Sequence, residues 1–394
     1  MAVASTDAGH YGDGRTDMWF GVDGKARIDN GYNSVRIVTE RARELMDWYY
    51  DQLPDLSYFM GCSNGGRQGM VAAVRYPEYY DGVVAGAPAF DLEASVMAWN
   101  WNTRALKELA DAELGGNIAA TFSDEQITMI SDAAIDACNT ADGADDNLVM
   151  APFQCSFDPR VLQCGTSSGN QCLSEGQVNA VQKMIDGPVD SNGNQIHEGY
   201  EFAGVSGFTG MRLLTVGPAP GPQPTSLAGG FQNGWPSYFA PTPVDPKFDW
   251  ASVTADDTDY LADSGHIWAA TSTDYSAFTE KGGKLLIWHG NADGAFSAKH
   301  LAKWFEQMTA DNADTDFARL YFSPGMHHCI GGPGLAASDP LTPLIDWVKN
   351  GVAPTTLEAS GTPPGATESV TRPLCPHPTR THMTSDGTFD CVAG

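Results

Sequence analysis

The stretch that most constrains this chain is Leu56–Met70, LSYFMGCSNGGRQGM. Leu56–Met60 reads as a short buried strand, Gly61-Cys62-Ser63-Asn64-Gly65 fits the pattern G-x-S-x-G, and Gln68–Val74 starts a helix. A strand that turns this sharply into a helix holds its central serine in a strained, exposed bend above a sheet. Gly61 and Gly65 flank the bend, where a Cβ is expected to collide with neighbouring backbone. The Ser63 hydroxyl is then available as a nucleophile, and the Asn64 N–H points into the same space as half of an oxyanion hole. The bland alternative is an ordinary Gly/Ser turn, and partner residues decide between the two.

In an α/β-hydrolase arrangement the serine is followed along the chain by an acid and then a histidine. Lys284–Trp288 reads as a second buried strand, and Asp293 lies in the loop just beyond it. Such sheets collect functional groups at the C-terminal ends of their strands. Arg319–Phe322 reads as a further strand leading into Ser323-Pro324-Gly325-Met326-His327-His328-Cys329. Asp293 is thus a candidate to orient an imidazole, and a histidine of the last loop is the candidate base. Cys62 precedes Ser63 and Cys329 follows His328. Because a disulfide needs Cα atoms within roughly 4.4–6.8 Å, a Cys62–Cys329 bond would tie nucleophile to base and favours His328. His327 is left as a pocket or structural residue, and His289, His300 and His377 as ordinary polar groups.

With Cys-Ser and His-Cys paired in this way, the segments GCSNGGRQGM, RYPEYYDGVVAGAPA, GGKLLIWHGNAD and GMHHCIGGPG closely resemble the tannase/feruloyl esterase family. Mono-hydroxyethyl terephthalate esterases of bacteria belong to that family, and the likeness runs from Ala4 to Cys391. The resemblance implies an α/β-hydrolase core, residues 1–90 and 272–394, with a large inserted lid at 91–271. It gives the triad roles to Ser63, Asp293 and His328. It also implies the disulfides Cys62–Cys329, Cys138–Cys155, Cys164–Cys172 and Cys375–Cys391, a pairing that spacing alone does not fix.

The lid is expected from a change of pattern. Between about Phe90 and Thr271 the chain shows helical stretches at Ala98–Ala112 and Ser123–Ala137, cysteine-closed loops and a breaker-rich Gly217–Pro222. Within it, Cys138–Leu148 packs carboxylates around a turn glycine, and oxygen-rich loops of this kind suit Ca²⁺, which takes roughly 6–8 oxygens. By resemblance the ligands are the side chains of Asn139, Asp142 and Asp146 with the carbonyls of Ala144 and Leu148. The family usually has Asp where Asn139 stands, so one charge is lost and affinity should fall. The alternative is a solvated acidic turn. No organic cofactor is implied.

The start of the chain reads as a strand at Ala2–Thr6, a polar loop over Gly9–Asn30 and a helix from Asn33 or Ser34 to about Tyr50. Val35, Val38, Ala42, Leu45, Met46 and Tyr49 follow helical spacing. By resemblance, family members carry a further N-terminal segment that supplies three strands and a second oxyanion donor. That segment is expected to be missing here, and loss of one such donor typically costs about 10²–10³ in rate. Pro354–Thr371 reads as a surface connection.

Composition narrows the partners. The chain has 394 residues, 42% hydrophobic, enough for a large core and two domains. With 22 basic against 49 acidic residues the net charge is −27, which repels phosphate backbones and anionic membranes. Nucleic acid and membrane are therefore excluded as partners, and no run of about 18 apolar residues reads as a membrane span. Eight cysteines argue for an oxidising compartment, secreted or periplasmic, although Met1 is followed by no signal-peptide pattern.

The expected substrate is a small aromatic ester or a plant polyphenol or polysaccharide ester. Feruloyl or other hydroxycinnamoyl esters come first, then galloyl esters, then terephthalate monoesters. Trp99, Trp101, Trp235, Tyr238, Phe239, Trp250 and Trp268 enrich the lid in aromatics, more of them expected in the core than in a pocket. Phe296 is the best single pocket wall, since Phe296-Ser297-Ala298 resembles the terephthalate-ester branch. Two other classes stay open, a different acyl hydrolase such as a peptidase and a catalytically inactive binding protein.

Overall fold

The computed structural model describes residues 2–11, 18–165 and 171–394. Its centre is a four-stranded, all-parallel sheet in the order β1 (Tyr58–Cys62), β2 (Gly82–Gly86), β3 (Lys284–Gly290) and β4 (Ala318–Ser323). Side chains alternate across a strand, and here each alternate set enters its own core. Val83, Ala85, Leu285, Ile287 and Leu320 face one side, with Met70 of the Asn64–Arg75 helix and Leu301, Phe305 and Met308 of the Ala298–Asp311 helix. Val84, Leu286 and Tyr321 face the other, with Leu344 and Trp347 of the Leu341–Asn350 helix. Helices on both faces explain why β2 is buried along its whole length.

β1 lies at the sheet edge, so the expected buried strand is half-exposed, with Met60 55% accessible. Ala2–Thr6 forms no strand and is exposed, since it pairs with none of the described strands. The loop expected over Gly9–Asn30 contains short helical turns at Trp19–Val22 and Gly24–Ile28, and its residues 12–17 lie outside the described residues. The Ser34–Tyr50 helix forms as its spacing predicts. Only its first half is packed, however: Val35 is buried while Leu45 and Tyr49 are 64% and 71% exposed. Among the described residues no strand lies beyond β1 to cover that second half.

Residues between β2 and β3 form a helical insertion. The helices Leu92–Glu113, Asp124–Cys138 and Glu175–Asp186 enclose a separate core around Leu106, Phe122, Ile130 and Val181. Ser123 and Ser174 open the second and third with reciprocal capping boxes, which satisfy otherwise orphaned N–H groups. Past the Leu341–Asn350 helix, Leu357–Gly361 pairs with Val370–Leu374 in a small antiparallel sheet. The expected surface connection therefore contains a strand, since Leu357 and Ala359 alternate into the core beside Trp347. All four expected disulfides are formed.

Candidate active site

Ser63 sits at the bend between β1 and the helix starting at Asn64, with φ +63° and ψ −122°. A positive φ is costly for a residue with a Cβ and clusters at functional sites. Three bonds hold the bend: Ser63 N–H donates to the Gly86 carbonyl at 2.9 Å, and the Ser63 carbonyl accepts from Arg67 and Ala89 N–H. A Cβ on Gly61 would lie 2.6 Å from the Gly65 carbonyl group, as expected. Gly65 itself has open space around it. The second tight position is Gly66, where a Cβ would lie 2.4 Å from the Gly86 carbonyl oxygen. The helix thus approaches β2 one residue later than the motif suggests.

Asn64 is the first residue of its helix, so its N–H has no intrahelical acceptor. Its side chain is fixed by Arg67, which donates to Asn64 Oδ1 at 2.8 Å and to the carbonyls of Asn30, Gly31 and Trp268. Arg67 is fully buried with no carboxylate partner among the described residues, and desolvation pushes its pKa down to about 9. Nothing in the local sequence distinguished it, because its backbone acceptors at Asn30, Gly31 and Trp268 lie far along the chain.

Asp293 and His328 meet beyond the ends of β3 and β4. His328 Nδ1 is 2.8 Å from Asp293 Oδ2, while Asp293 Oδ1 accepts from the N–H groups of Ala295 and Phe296. Burial works to raise the Asp293 pKa, but the two histidines and the backbone donor at Ala295 outweigh it and hold it below the usual carboxylate range. Burial likewise works to lower the pKa of His328, and the neighbouring Asp293 charge outweighs it and raises it. His289, expected to be an ordinary polar residue, is buried with Nε2 3.7 Å from Asp293 Oδ2 and 3.0 Å from the Phe296 carbonyl. The disulfide Cys62–Cys329, with Cα atoms 6.1 Å apart, joins the backbone beside Ser63 to the backbone beside His328.

Phe296 packs 5.3 Å from the His328 ring and 5.6 Å from Trp99 (centroid distances). Trp99 Nε1 and the Tyr200 hydroxyl donate to the Ala295 carbonyl, so the insertion clamps the loop that carries Asp293. Trp235, Phe239, Trp250 and Trp268 are buried, and Trp101 donates to the Lys183 carbonyl. Beside this clamp, His300 bridges Glu198 (2.6 Å) and Asp91 (3.1 Å), and the two carboxylates overcome its burial and raise its pKa to about 9.

In the acidic loop, Asn139 Oδ1 accepts from the N–H groups of Asp146 and Asn147, and its amide nitrogen donates to Asp145. Asp146 accepts from Leu148 N–H and from Arg372. Asp142 is fully buried and accepts from the N–H groups of Ala144 and Met150; its desolvation raises its pKa. Among the described residues no three His, Cys, Asp or Glu side chains are grouped as a metal cluster.

The family model "Tannase and feruloyl esterase" matches residues 1–394. The chain is 35% identical over 424 residues to the mono(2-hydroxyethyl) terephthalate hydrolase of Piscinibacter sakaiensis, covering 96% of this chain and 70% of that protein. It is 28% identical over 423 residues to feruloyl esterase C of Talaromyces stipitatus, covering 100% and 75%. The crystal structure of feruloyl esterase B from Aspergillus oryzae superposes with a TM-score of 0.80 at 24% identity, over 97% of this chain and 78% of that one, a likeness of fold. An α/β-hydrolase sheet, a strand-to-helix serine and a family match over its full length make this chain a member of the tannase and feruloyl esterase family, and a carboxylic-ester hydrolase.

Proposed function

We propose that the chain hydrolyses aromatic acyl esters, hydroxycinnamoyl esters foremost, through Ser63, His328 and Asp293. Ser63 Oγ attacks the ester carbonyl as His328 Nε2 takes its proton, and the Asn64 N–H donates to the developing oxyanion. His328 then gives that proton to the departing alkoxide, leaving an acyl group on Ser63. Water, deprotonated by the same imidazole, releases the aromatic acid and restores the hydroxyl. Asp293 fixes the tautomer by accepting from Nδ1–H and stabilises the imidazolium. The observation that carries this reading is the 2.8 Å Asp293–His328 contact on a loop tethered by disulfide to the serine's neighbour. Phe296, beside His328, is the proposed aromatic wall.

A terephthalate monoester is the second reading, favoured by the 35% identity to the Piscinibacter sakaiensis enzyme. Residues 91–271 are the proposed lid, and the four disulfides support a secreted or periplasmic location.

For the acidic loop the proposed ion is structural Ca²⁺. A buried Asp142 carboxylate with no basic partner among the described residues fits a cation. Asp142 and Asp146 would hold it with the carbonyls of Ala144 and Leu148. Asn139 fits less well, its oxygen being already shared by two N–H groups.

Initial rates on methyl ferulate, methyl gallate, mono(2-hydroxyethyl) terephthalate and a peptide anilide, with Ser63→Ala as control, test the assignment. Ferulate turnover that Ser63→Ala abolishes supports it. Peptide turnover, or no turnover together with no fluorophosphonate adduct on intact mass, overturns it.

A further inference from the structure

His327 stands next to the proposed base and is used by none of the chemistry above. It is 1% exposed, and both its ring nitrogens reach across to the insertion. Nε2 is 2.9 Å from the Gly204 carbonyl oxygen and Nδ1 is 2.8 Å from Thr209 Oγ1. A carbonyl only accepts, so the proton is on Nε2, and Nδ1 is left to accept from the Thr209 hydroxyl. Every polar atom of the ring is thereby satisfied, by partners more than a hundred residues away in the chain. Burial holds the ring's pKa down, which favours the neutral form.

The surrounding backbone is shaped to this ring. A Cβ on Gly210 would come within 2.8 Å of His327 Nε2, and one on Gly332 within 3.1 Å of the ring's Cδ2 and 2.9 Å of the His327 backbone nitrogen. Gly204 has φ +91°, and a Cβ there would lie 2.6 Å from the Cα of Gly325. Glycine at these positions lets the 204–210 loop of the insertion and the 325–332 loop close around the imidazole. On the other side, Met326 carbonyl accepts from Ala292 N–H, one residue before Asp293. His327 therefore sits where the loop carrying the base, the loop carrying the acid and the insertion meet.

We propose that His327 is a positioning residue: its ring anchors the insertion loop 204–210 to the backbone from which His328 reaches Asp293. This rests on His328 being the base. Displacement of a reacting group by about 1 Å can cost on the order of 10²-fold in rate, so the anchor acts on turnover rather than on affinity.

The test uses the whole chain with His327→Phe, which keeps ring volume but leaves the Gly204 carbonyl and Thr209 hydroxyl unpaired. Its kcat on methyl ferulate is expected to fall about tenfold or more with KM within about twofold, on the order of what a displaced base costs. Amide hydrogen exchange of residues 204–210 should accelerate in the same variant. His327→Gln, which keeps a donor for the carbonyl, should recover part of both. Thr209→Val removes one bond at the far partner and should give a smaller loss of the same kind, should His327→Phe not fold. Unchanged exchange at 204–210, or unchanged kcat in a folded His327→Phe, overturns the proposal. Failure of a fluorophosphonate to label wild-type Ser63 instead overturns the triad, and the exchange measurement distinguishes the two failures.

Discussion

Cys62 and Cys329 are bonded across 267 residues of sequence, and each is the immediate chain neighbour of a residue of the proposed chemistry. The bond works on two levels. It closes a very long loop, worth roughly 5 kcal/mol in the chain-entropy model. It also removes a degree of freedom between the elbow at Ser63 and the loop carrying His328, where small displacements matter most for rate.

Replacing both cysteines by serine is therefore expected to reduce stability by about 2–5 kcal/mol and to reduce kcat even at temperatures where the variant is folded. Denaturant unfolding read beside kcat in the same buffer checks this. Loss of stability with kcat unchanged would show that the bond only staples the fold.

The raised pKa of His328 sets the direction of the pH profile. The imidazole must be neutral to accept the Ser63 proton, so activity falls as pH drops through its pKa. Asp293 lifts that pKa above the ordinary value, so the acidic limb of kcat/KM should lie above that of an unperturbed imidazole. In Asp293→Asn the limb is expected to move to lower pH, with kcat down by about 10⁴-fold. A limb that does not move would remove Asp293 from its role.

His300 makes a separate prediction about stability. Its pKa is raised from 6.5 to about 9 between Asp91 and Glu198. A raised folded-state value contributes stability fully below pH 6.5, and the contribution is lost as pH rises through about 9. Its size is at most about 3 kcal/mol, counted once for the shared pairs. Melting temperature should fall more steeply between those pH values in the wild type than in His300→Gln. Parallel curves would count against the bridge.

The acidic loop offers a metal test. If Ca²⁺ holds Asp142 and Asp146, EGTA lowers the melting temperature and added Ca²⁺ restores it. Asn139→Asp returns a charged oxygen and should enlarge the shift. An unchanged melting curve in both proteins would mean that Asn139, Asp145 and Arg372 hold the loop by hydrogen bonds alone.

Sequence by itself determined what depends on near neighbours. The alternation Val83-Val84-Ala85 and Leu285-Leu286-Ile287 specified strands covered on both faces. Ser123 and the helical spacing around it specified a capped helix, and Gly61 flanking Ser63 specified the elbow. These signals are local because backbone sterics and side-chain periodicity act over a few residues. The pairing of Asp293 with His328 was legible too, since both residues follow buried strands.

Only the tertiary structure decided the rest. That Gly66 rather than Gly65 is the tight glycine depends on where Gly86 lies. That Leu45 and Tyr49 are exposed depends on β1 being an edge. Arg67, His300 and His327 look alike in sequence to any surface Arg or His, yet Arg67 and His327 are buried, His300 is half-buried, and each has partners contributed from distant segments. A buried polar group must find its hydrogen bonds wherever the fold brings acceptors to it, and that proximity is a property of the packed chain, with no trace in the order of residues around it.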